Sequence, residues 1–398
     1  ALNYRIGRAN SASIYQNIGT DFENVLINPA IQECVKSVTA QFTAEELITE
    51  RQKVGDLMRE AAEEHDAPFT LVHHYRDGAV MGLAEVLSKG FRLLENLHGC
   101  EKDIMEWKPD VVILIDYPGF NMKVAKFCHA RGQKVFYYIA PKTWASREGR
   151  NRQLKELVDR LFIVFPFEVP YFTARGIPFT YEGNPLVDAV DSHNYSRPET
   201  DKYIALLAGS RKAEISRMMP VLMQMADRLA GTAEYRDWKF IIAGAPARGE
   251  SDYTKYIGGR KNVRLIFDRT YDILKYAEAA VINSGTASLE AALIGTPQVV
   301  GWNTSPLTWF AARHILKVQD HIKYISLGNL CLDRQVFKEY IQDGFTPESI
   351  EKEIRRILED GQYREEMLQG YAQIRESLGG SGASRKVAAA MIKELKTQ

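Results

Sequence analysis

The chain has no net charge, no apolar run long enough to span a bilayer, and no pairing among its few cysteines. Its 51 basic and 51 acidic residues cancel. No global field therefore draws it to nucleic acid or to an anionic membrane, and any anion must be held locally. No stretch approaches the roughly twenty consecutive apolar residues of a membrane helix, and the start, Ala1-Leu2-Asn3-Tyr4-Arg5, has no signal-peptide core. Any membrane contact is expected from the side. Cys34, Cys100, Cys128 and Cys331 lie far apart with no CxxC pair, which argues against a zinc site or a disulfide scaffold and suits a reducing cytosol. Internal repeats and low-complexity segments are missing as well.

What is present is a β-α alternation in a chain of 398 residues, enough for two domains with their own cores. Its centre is Val281 to Gly301. Ala279 to Ile282 is an apolar run fit for a buried parallel strand, Asn283-Ser284-Gly285-Thr286 is a polar turn, and Ala287 to Ile294 reads as a helix stopped by Gly295-Thr296-Pro297. The turn is expected to leave the backbone N–H groups of Ser284, Gly285 and Thr286 free at a helix N-terminus, where partial positive charge favours phosphate. Glu290 follows one helical turn later. Beside a diphosphate a carboxylate makes sense only if it accepts from something else, such as ribose hydroxyls. Standing alone, the segment reads better as an ordinary strand-turn-helix with Thr286 as N-cap and Glu290 on a wet face.

A second turn of this kind follows Tyr203 to Leu207. Ala208-Gly209-Ser210-Arg211 precedes a helix over Ile215 to Leu229, and Arg211 is suited to offset charge on a leaving diphosphate. The alternative is a solvated arginine at a helix start. Further strands are expected at Trp238 to Ala243 and Arg264 to Ile266, with a helix from Tyr271 to Ala279. Trp302, Trp309, Phe310 and Arg313 make an aromatic, basic region. Tyr324 to Asn329 reads as a loop at the cleft with Asn329 able to bond a ligand, and the tail as one helix from Pro347 to Leu378, then a glycine break and a last helix, Ala383 to Leu395.

Earlier in the chain, Val111 to Ile115 is expected to be a buried parallel strand ending in Asp116, where open α/β sheets place their ligands. Flanked by Tyr117, Pro118 and Phe120, Asp116 is expected to be partly desolvated and so a better proton acceptor. The alternative is a carboxylate capping the helix near Asn121. A helix over Val124 to Arg131, the strands Lys134 to Ile139 and Leu161 to Val164, and a strand-plus-loop reading of Phe162 to Phe172 complete a doubly wound sheet. Residues 188 to 202 read as an interdomain linker. The apolar stripe from Val80 to Leu97 reads as core or as an interfacial patch reaching lipid. The expected division is an atypical segment over 1–54, an acceptor-side domain over 55–190, a donor domain over 200–375, and a C-terminal helix over 376–398 packing back across them.

Two resemblances emerge. YQNIGTDFENVLINPAIQECVKSVTAQFTAEELITERQ, within residues 1–54, resembles the distal part of a stomatin/prohibitin-type domain, a membrane-scaffold family. VVILIDYPGFN, FYYIAPKTWA, PFEVPYF, YEGNPLVDAV, LLAGSRKAEI, SGTASLEAALIGTPQVV and ISLGNL, in that order over about 55–392, resemble the lipid-A-disaccharide synthase family. That family implies an α/β, two-domain GT-B fold and an inverting glycosyl transfer, for which no cofactor is expected and no metal is needed if Arg211 and the helix N-termini offset the diphosphate charge, there being no Asp-x-Asp pair placed to hold one. It also implies UDP-2,3-diacylglucosamine as donor, 2,3-diacylglucosamine 1-phosphate as acceptor, and peripheral contact with the cytoplasmic face of the inner membrane. By motif, Asp116 becomes the general base. Arg211, Gly209, Ser210, Ser284, Gly285, Thr286, Glu290 and Asn329 fall in the donor half. The family's WAW reads Trp144-Ala145-Ser146 here, and its first strand and GEASGD loop have no counterpart before Gly55. Loss of that unit is expected to impair catalysis. The rival readings are another UDP-sugar GT-B enzyme, a 2-epimerase or an N-acetylglucosaminyltransferase, or a membrane scaffold protein.

Overall fold

The computed structural model describes residues 85–144, 148–246, 248–304 and 323–396, with side chains from Glu95 onward. The scaffold-like segment over 1–54, most of the stripe from Val80, and Ser146, Trp309, Phe310 and Arg313 lie outside the described residues. Helix α1 spans Glu85–Trp107. Residues Asp110–Leu395 form one compact unit that holds two parallel sheets.

The first sheet has the order β1-β2-β3-β4, from β1 (Val112–Ile115), β2 (Val135–Tyr138), β3 (Arg160–Ile163) and β4 (Phe179–Tyr181). All its pairs are parallel, with Ile113 opposite Phe136 and Tyr138 opposite Phe162. The connecting helices are α2 (Pro118–His129), α3 (Arg150–Leu157) and α4 (Glu168–Thr173), with α5 (Pro185–Asp191) after β4. Helix α2 begins six residues before the sequence suggests, because Pro118 fits its first turn without losing a hydrogen bond. Phe162 to Phe172 is not strand plus loop throughout, since Glu168 opens α4.

β1 corrects another expectation. Leu114 is buried, but Ile113 and Ile115 are 45% and 44% exposed. Side chains alternate across a strand, so one face of β1 is covered and the other is bare. The bare face continues the face of Phe136 and Phe162, which the last helix, Ala383–Lys396, covers with Val387 and Met391. That helix reaches β2 and β3 but leaves β1 open, at the outer edge of the described sheet.

The second sheet has the order β10-β9-β8-β5-β6-β7. Its strands are β5 (Tyr203–Leu207), β6 (Lys239–Gly244), β7 (Val263–Phe267), β8 (Ala279–Asn283), β9 (Gln298–Trp302) and β10 (Glu339–Ile341). β5 and β8 are buried at every residue, the mark of a strand covered on both faces. The helices are α6 (Lys212–Ala230), α7 (Ser251–Ile257), α8 (Thr270–Tyr276), α9 (Thr286–Ile294), α10 (Leu327–Leu332), α11 (Pro347–Glu359), α12 (Gly361–Ser377) and, last in the chain, α13 (Ala383–Lys396). Several boundaries move by a few residues, and the expected loop from Tyr324 to Asn329 runs into α10 from Leu327. Ala279 belongs to β8 rather than to the preceding helix. The tail breaks at Asp360, whose extended backbone (φ −97°, ψ 95°) ends α11 while its side chain accepts from Tyr363 N at 3.0 Å to start α12.

Asp188, on α5, fixes the return of the chain. Its carboxylate accepts from Gly382 N and, at 2.9 Å, from Ser384 N, capping α13 from a residue far away in sequence. A part-buried cap of this kind contributes about 1 kcal/mol. Asp188→Ala is therefore expected to lower unfolding stability by about that amount and to speed amide exchange at Gly382 and Ser384. An unchanged denaturation midpoint would count against the cap.

Candidate active site

β5 and β8 are neighbours although β6 and β7 lie between them in sequence, so the chain reverses direction across the sheet at this pair. Such a switch point opens a crevice beyond the carboxyl ends of the strands. Leu207 stands opposite Ile282, and the turns after them, Ala208 to Arg211 and Asn283 to Thr286, lie side by side. Gly209 has φ 101°, and a Cβ there would lie 2.7 Å from Asn283 Nδ2 and 2.6 Å from Glu214 Oε2. Only glycine fits.

The two turns differ in what they offer a ligand. Ser284 N is not free: it donates to Gly301 O at 2.9 Å, extending the ladder, while Ser284 Oγ donates to Ile325 O at 3.1 Å. Gly285 and Thr286 are exposed, and their N–H groups have no partner among the described residues. Gly285 occupies the N-cap of α9 without a side-chain cap, so Thr286 is not the cap and the helix end is left open. The Gly209 turn is filled. Ser210 N and Arg211 N donate to Glu214 Oε2 at 3.0 and 3.2 Å, and Arg211 Nη1 donates to Glu214 Oε1 at 2.8 Å. A carboxylate of the chain already sits where an anion was expected. Glu214 has the spacing of a capping-box acid, three residues into the helix, and that spacing was the signal available in the sequence.

Glu290 is half-buried on α9 and accepts from Tyr271 O–H at 3.1 Å. Burial raises its carboxyl above the ordinary value, opposed by the Tyr271 bond. Asn329 does not face a ligand. It is fully buried at the start of α10, where its side chain accepts from Val336 N at 2.8 Å and donates to Phe337 O at 3.0 Å and Glu339 Oε1 at 2.8 Å. Every polar atom is used, so it fixes the loop rather than a ligand. Glu339 completes that loop by accepting from Ile325 N and Ser326 N at 2.9 and 3.0 Å.

Across the unit, Asp116 ends β1 on a strained turn. Asp116 and Tyr117 both have left-handed backbones, φ 45° and 43°, a conformation costing about 1 kcal/mol or more for each non-glycine residue. The turn is held by Asn121 Nδ2, donating to Ile115 O at 3.0 Å and to Asp116 O at 2.7 Å, and by Tyr137 O–H, donating to Asp116 O at 2.6 Å. Asp116 itself is exposed, so the expected desolvation is not there. Nor does it cap α2, whose N-cap is Tyr117 without a side-chain bond. Its carboxylate is left without a hydrogen-bond partner among the described residues. Because the sheet is parallel, Asp116 shares an edge with Ile139 and Val164, and Val164 and Phe165 are buried in the core of the second sheet. The edge that carries Asp116 is thus the edge that meets the second sheet.

A further carboxylate at that junction escaped sequence reading. Glu168 is 1% exposed and accepts from Val164 N (3.2 Å), Phe165 N (3.0 Å) and Trp144 Nε1 (3.3 Å). Burial raises its carboxyl to about 7 despite these donors.

The family profile for Lipid-A-disaccharide synthetase matches residues 57–392. This chain belongs to that family. A lipid-A-disaccharide synthase from Trichlorobacter lovleyi is 35% identical over 343 residues, covering 84% of this chain and 86% of that protein. Residues 1–70 match the profile of the SPFH domain / Band 7 family, in agreement with the stomatin-like wording. Among solved structures, a UDP-GlcNAc 2-epimerase from Neisseria meningitidis bound to UDP-GlcNAc is 15% identical, covers 76% of this chain and 81% of its own, and has a TM-score of 0.54. The calicheamicin glycosyltransferase CalG4 is 15% identical, covers 85% and 89%, and has a TM-score of 0.50. The two parallel sheets of this family member are thus of the α/β GT-B kind expected from its sequence.

Glu168 gives a signed pH effect. A carboxyl raised in the folded state adds stability that is complete below its ordinary value of 4.5 and lost as pH rises through about 7. The stability difference between wild type and Glu168→Gln is therefore expected to shift toward the variant by up to roughly 3 kcal/mol from pH 5 to pH 8. Urea midpoints at both pH values check it, and parallel behaviour of the two proteins would remove the assignment.

Proposed function

We propose that the chain is a lipid-A-disaccharide synthase that transfers 2,3-diacylglucosamine from UDP-2,3-diacylglucosamine to 2,3-diacylglucosamine 1-phosphate. The membership of its family supports this activity, and the open N-terminus of α9 beside the switch point carries the assignment of the donor site. Gly285 N and Thr286 N donate to the diphosphate, where the helix end favours negative charge. Glu290 Oε2 accepts from the ribose hydroxyls. Gly209 and Ser210 shape the floor of the crevice, and Arg211, whose side chain is 81% exposed, swings from Glu214 to the charge that grows on departing UDP.

On the other side, the 6-hydroxyl of the acceptor gives its proton to Asp116 as its oxygen attacks the anomeric carbon. The bond from that carbon to the diphosphate oxygen breaks with its electron pair on UDP, and one displacement inverts the centre. The strained, well-braced turn that presents the open Asp116 carboxylate supports this role, because backbone strain of this kind concentrates at functional sites. The enzyme works as a peripheral protein on the cytoplasmic face of the inner membrane. Turnover is expected below that of its relatives, since β1 carries Asp116 from the outer edge of the described sheet with Ile113 and Ile115 bare. The scaffold reading rests on residues 1–70 alone, and it would show as rings without UDP affinity.

Asp116→Asn is expected to reduce turnover at least about a thousandfold, the scale of a lost general base with its hydrogen bonding, while the Kd for UDP stays within a factor of about two. A radiolabelled transfer assay and calorimetric titration with UDP measure the two quantities. Loss of both would make Asp116 structural. Wild-type turnover equal to that of its relatives would contradict the expected impairment.

A further inference from the structure

Tyr271 lies outside every motif that marks the site, yet it is the partner of the carboxylate placed there. Its hydroxyl donates to Glu290 Oε1 at 3.1 Å, and among the described residues no other group bonds Glu290. Burial and the Glu290 charge hold the phenol well above its ordinary pKa, so it stays a donor. The ring is itself wedged: His193 meets it edge-on with centroids 5.3 Å apart, and Tyr195 meets His193 at 4.7 Å. His193 Nε2 lies 3.1 Å from Asp272 Oδ1, and Asp272 also accepts from Ser196 N at 2.9 Å, Ser196 Oγ at 3.1 Å and Arg269 Nε at 2.9 Å. The segment that leads from the first sheet into β5 is thereby fastened to the first turn of α8. Tyr271 stands between that segment and Glu290.

We propose that Tyr271 is a positioning residue for recognition of the nucleotide ribose: it occupies Oε1 of Glu290 so that Oε2 is presented to a vicinal diol, and His193 holds Tyr271 in place. The proposal rests on the reading of Glu290 given under Proposed function. A glutamate has three rotatable side-chain bonds, and a carboxylate left to rotate loses that freedom when it binds. Fixing one oxygen beforehand removes much of the loss. The linker enters because an edge-on ring pair has a preferred geometry, so displacing His193 moves the phenol and, through it, the carboxylate.

The test is calorimetric titration of the full chain with UDP and with 2′,3′-dideoxy-UDP, which lacks the diol. Wild type is expected to bind UDP about tenfold more tightly than the dideoxy compound, the scale of one hydrogen bond to a charged group. Glu290→Gln should bring that ratio close to one. Tyr271→Phe should narrow it about fivefold, by weakening UDP and leaving the dideoxy compound unchanged, and His193→Ala should narrow it less. An unchanged ratio in Tyr271→Phe, with the ratio collapsed in Glu290→Gln, overturns the positioning role and leaves the nucleotide site standing. An unchanged ratio in His193→Ala alone removes the linker from the chain of contacts. No preference for UDP in wild type removes Glu290 from the ribose, and no binding of either compound overturns the proposed function itself.

Discussion

The pairing of β5 with β8 is the constraint on which the crevice of the second sheet depends. Both strands are buried along their whole length, so their register is set by core packing, and a slip of one residue would turn their side chains to opposite faces. With Leu207 opposite Ile282, the two turns emerge one strand spacing apart, about 4.8 Å. Their contact is close enough that the Gly209 position tolerates no side chain. Were another strand inserted between β5 and β8, the turns would stand about twice as far apart and would not share one diphosphate.

The crevice is then walled by residues whose own polar groups are spent. Ser284 ties its turn to Ile325, Glu339 gathers the Ile325 and Ser326 amides, and Asn329 joins Glu339 to the Val336–Phe337 backbone. A part-buried network in which each member is satisfied resists opening, most of all at Asn329, where breaking a link strands a polar group in a low-dielectric interior. This explains how Asn329 serves the site without facing it. The Asp116 carboxylate and the Gly285 and Thr286 amides are instead exposed and left open to solvent or to a ligand.

Much of this was legible in the sequence, and the misses share a cause. Apolar runs bounded by small-residue turns revealed the parallel strands, since a strand covered on both faces is apolar throughout. The Gly209 and Gly285 turns were legible because glycine before a helix has few other uses. The capping-box spacing of Glu214 was there to be read, but sequence could not show that Glu168 is buried or that Asn329 turns inward. Each depends on which partner lies across space, and a polar side chain looks the same along the chain whether it meets water, ligand or backbone. The exposure of Ile113 and Ile115 was hidden for a related reason: the pattern of β1 is that of an inner strand, but its neighbours decide what is covered.

Glu214 makes the two turns of the donor half unequal in a way that bears on mechanism. Its carboxylate takes both amides of the Gly209 turn and the Arg211 guanidinium, so that turn is electrostatically quiet as it stands. The α9 terminus carries its partial charge uncompensated. In the donor role proposed for this crevice, a diphosphate would be drawn first to Gly285 and Thr286, and only then compete with Glu214 for Arg211. That exchange would trade one carboxylate partner for a more highly charged one. It would become most favourable once the bond to the sugar has broken and the full charge rests on the nucleotide, so the proposed Arg211 contact would strengthen along the reaction rather than at binding. Interactions that grow toward the transition state raise turnover, whereas those present from the start only tighten the ground state.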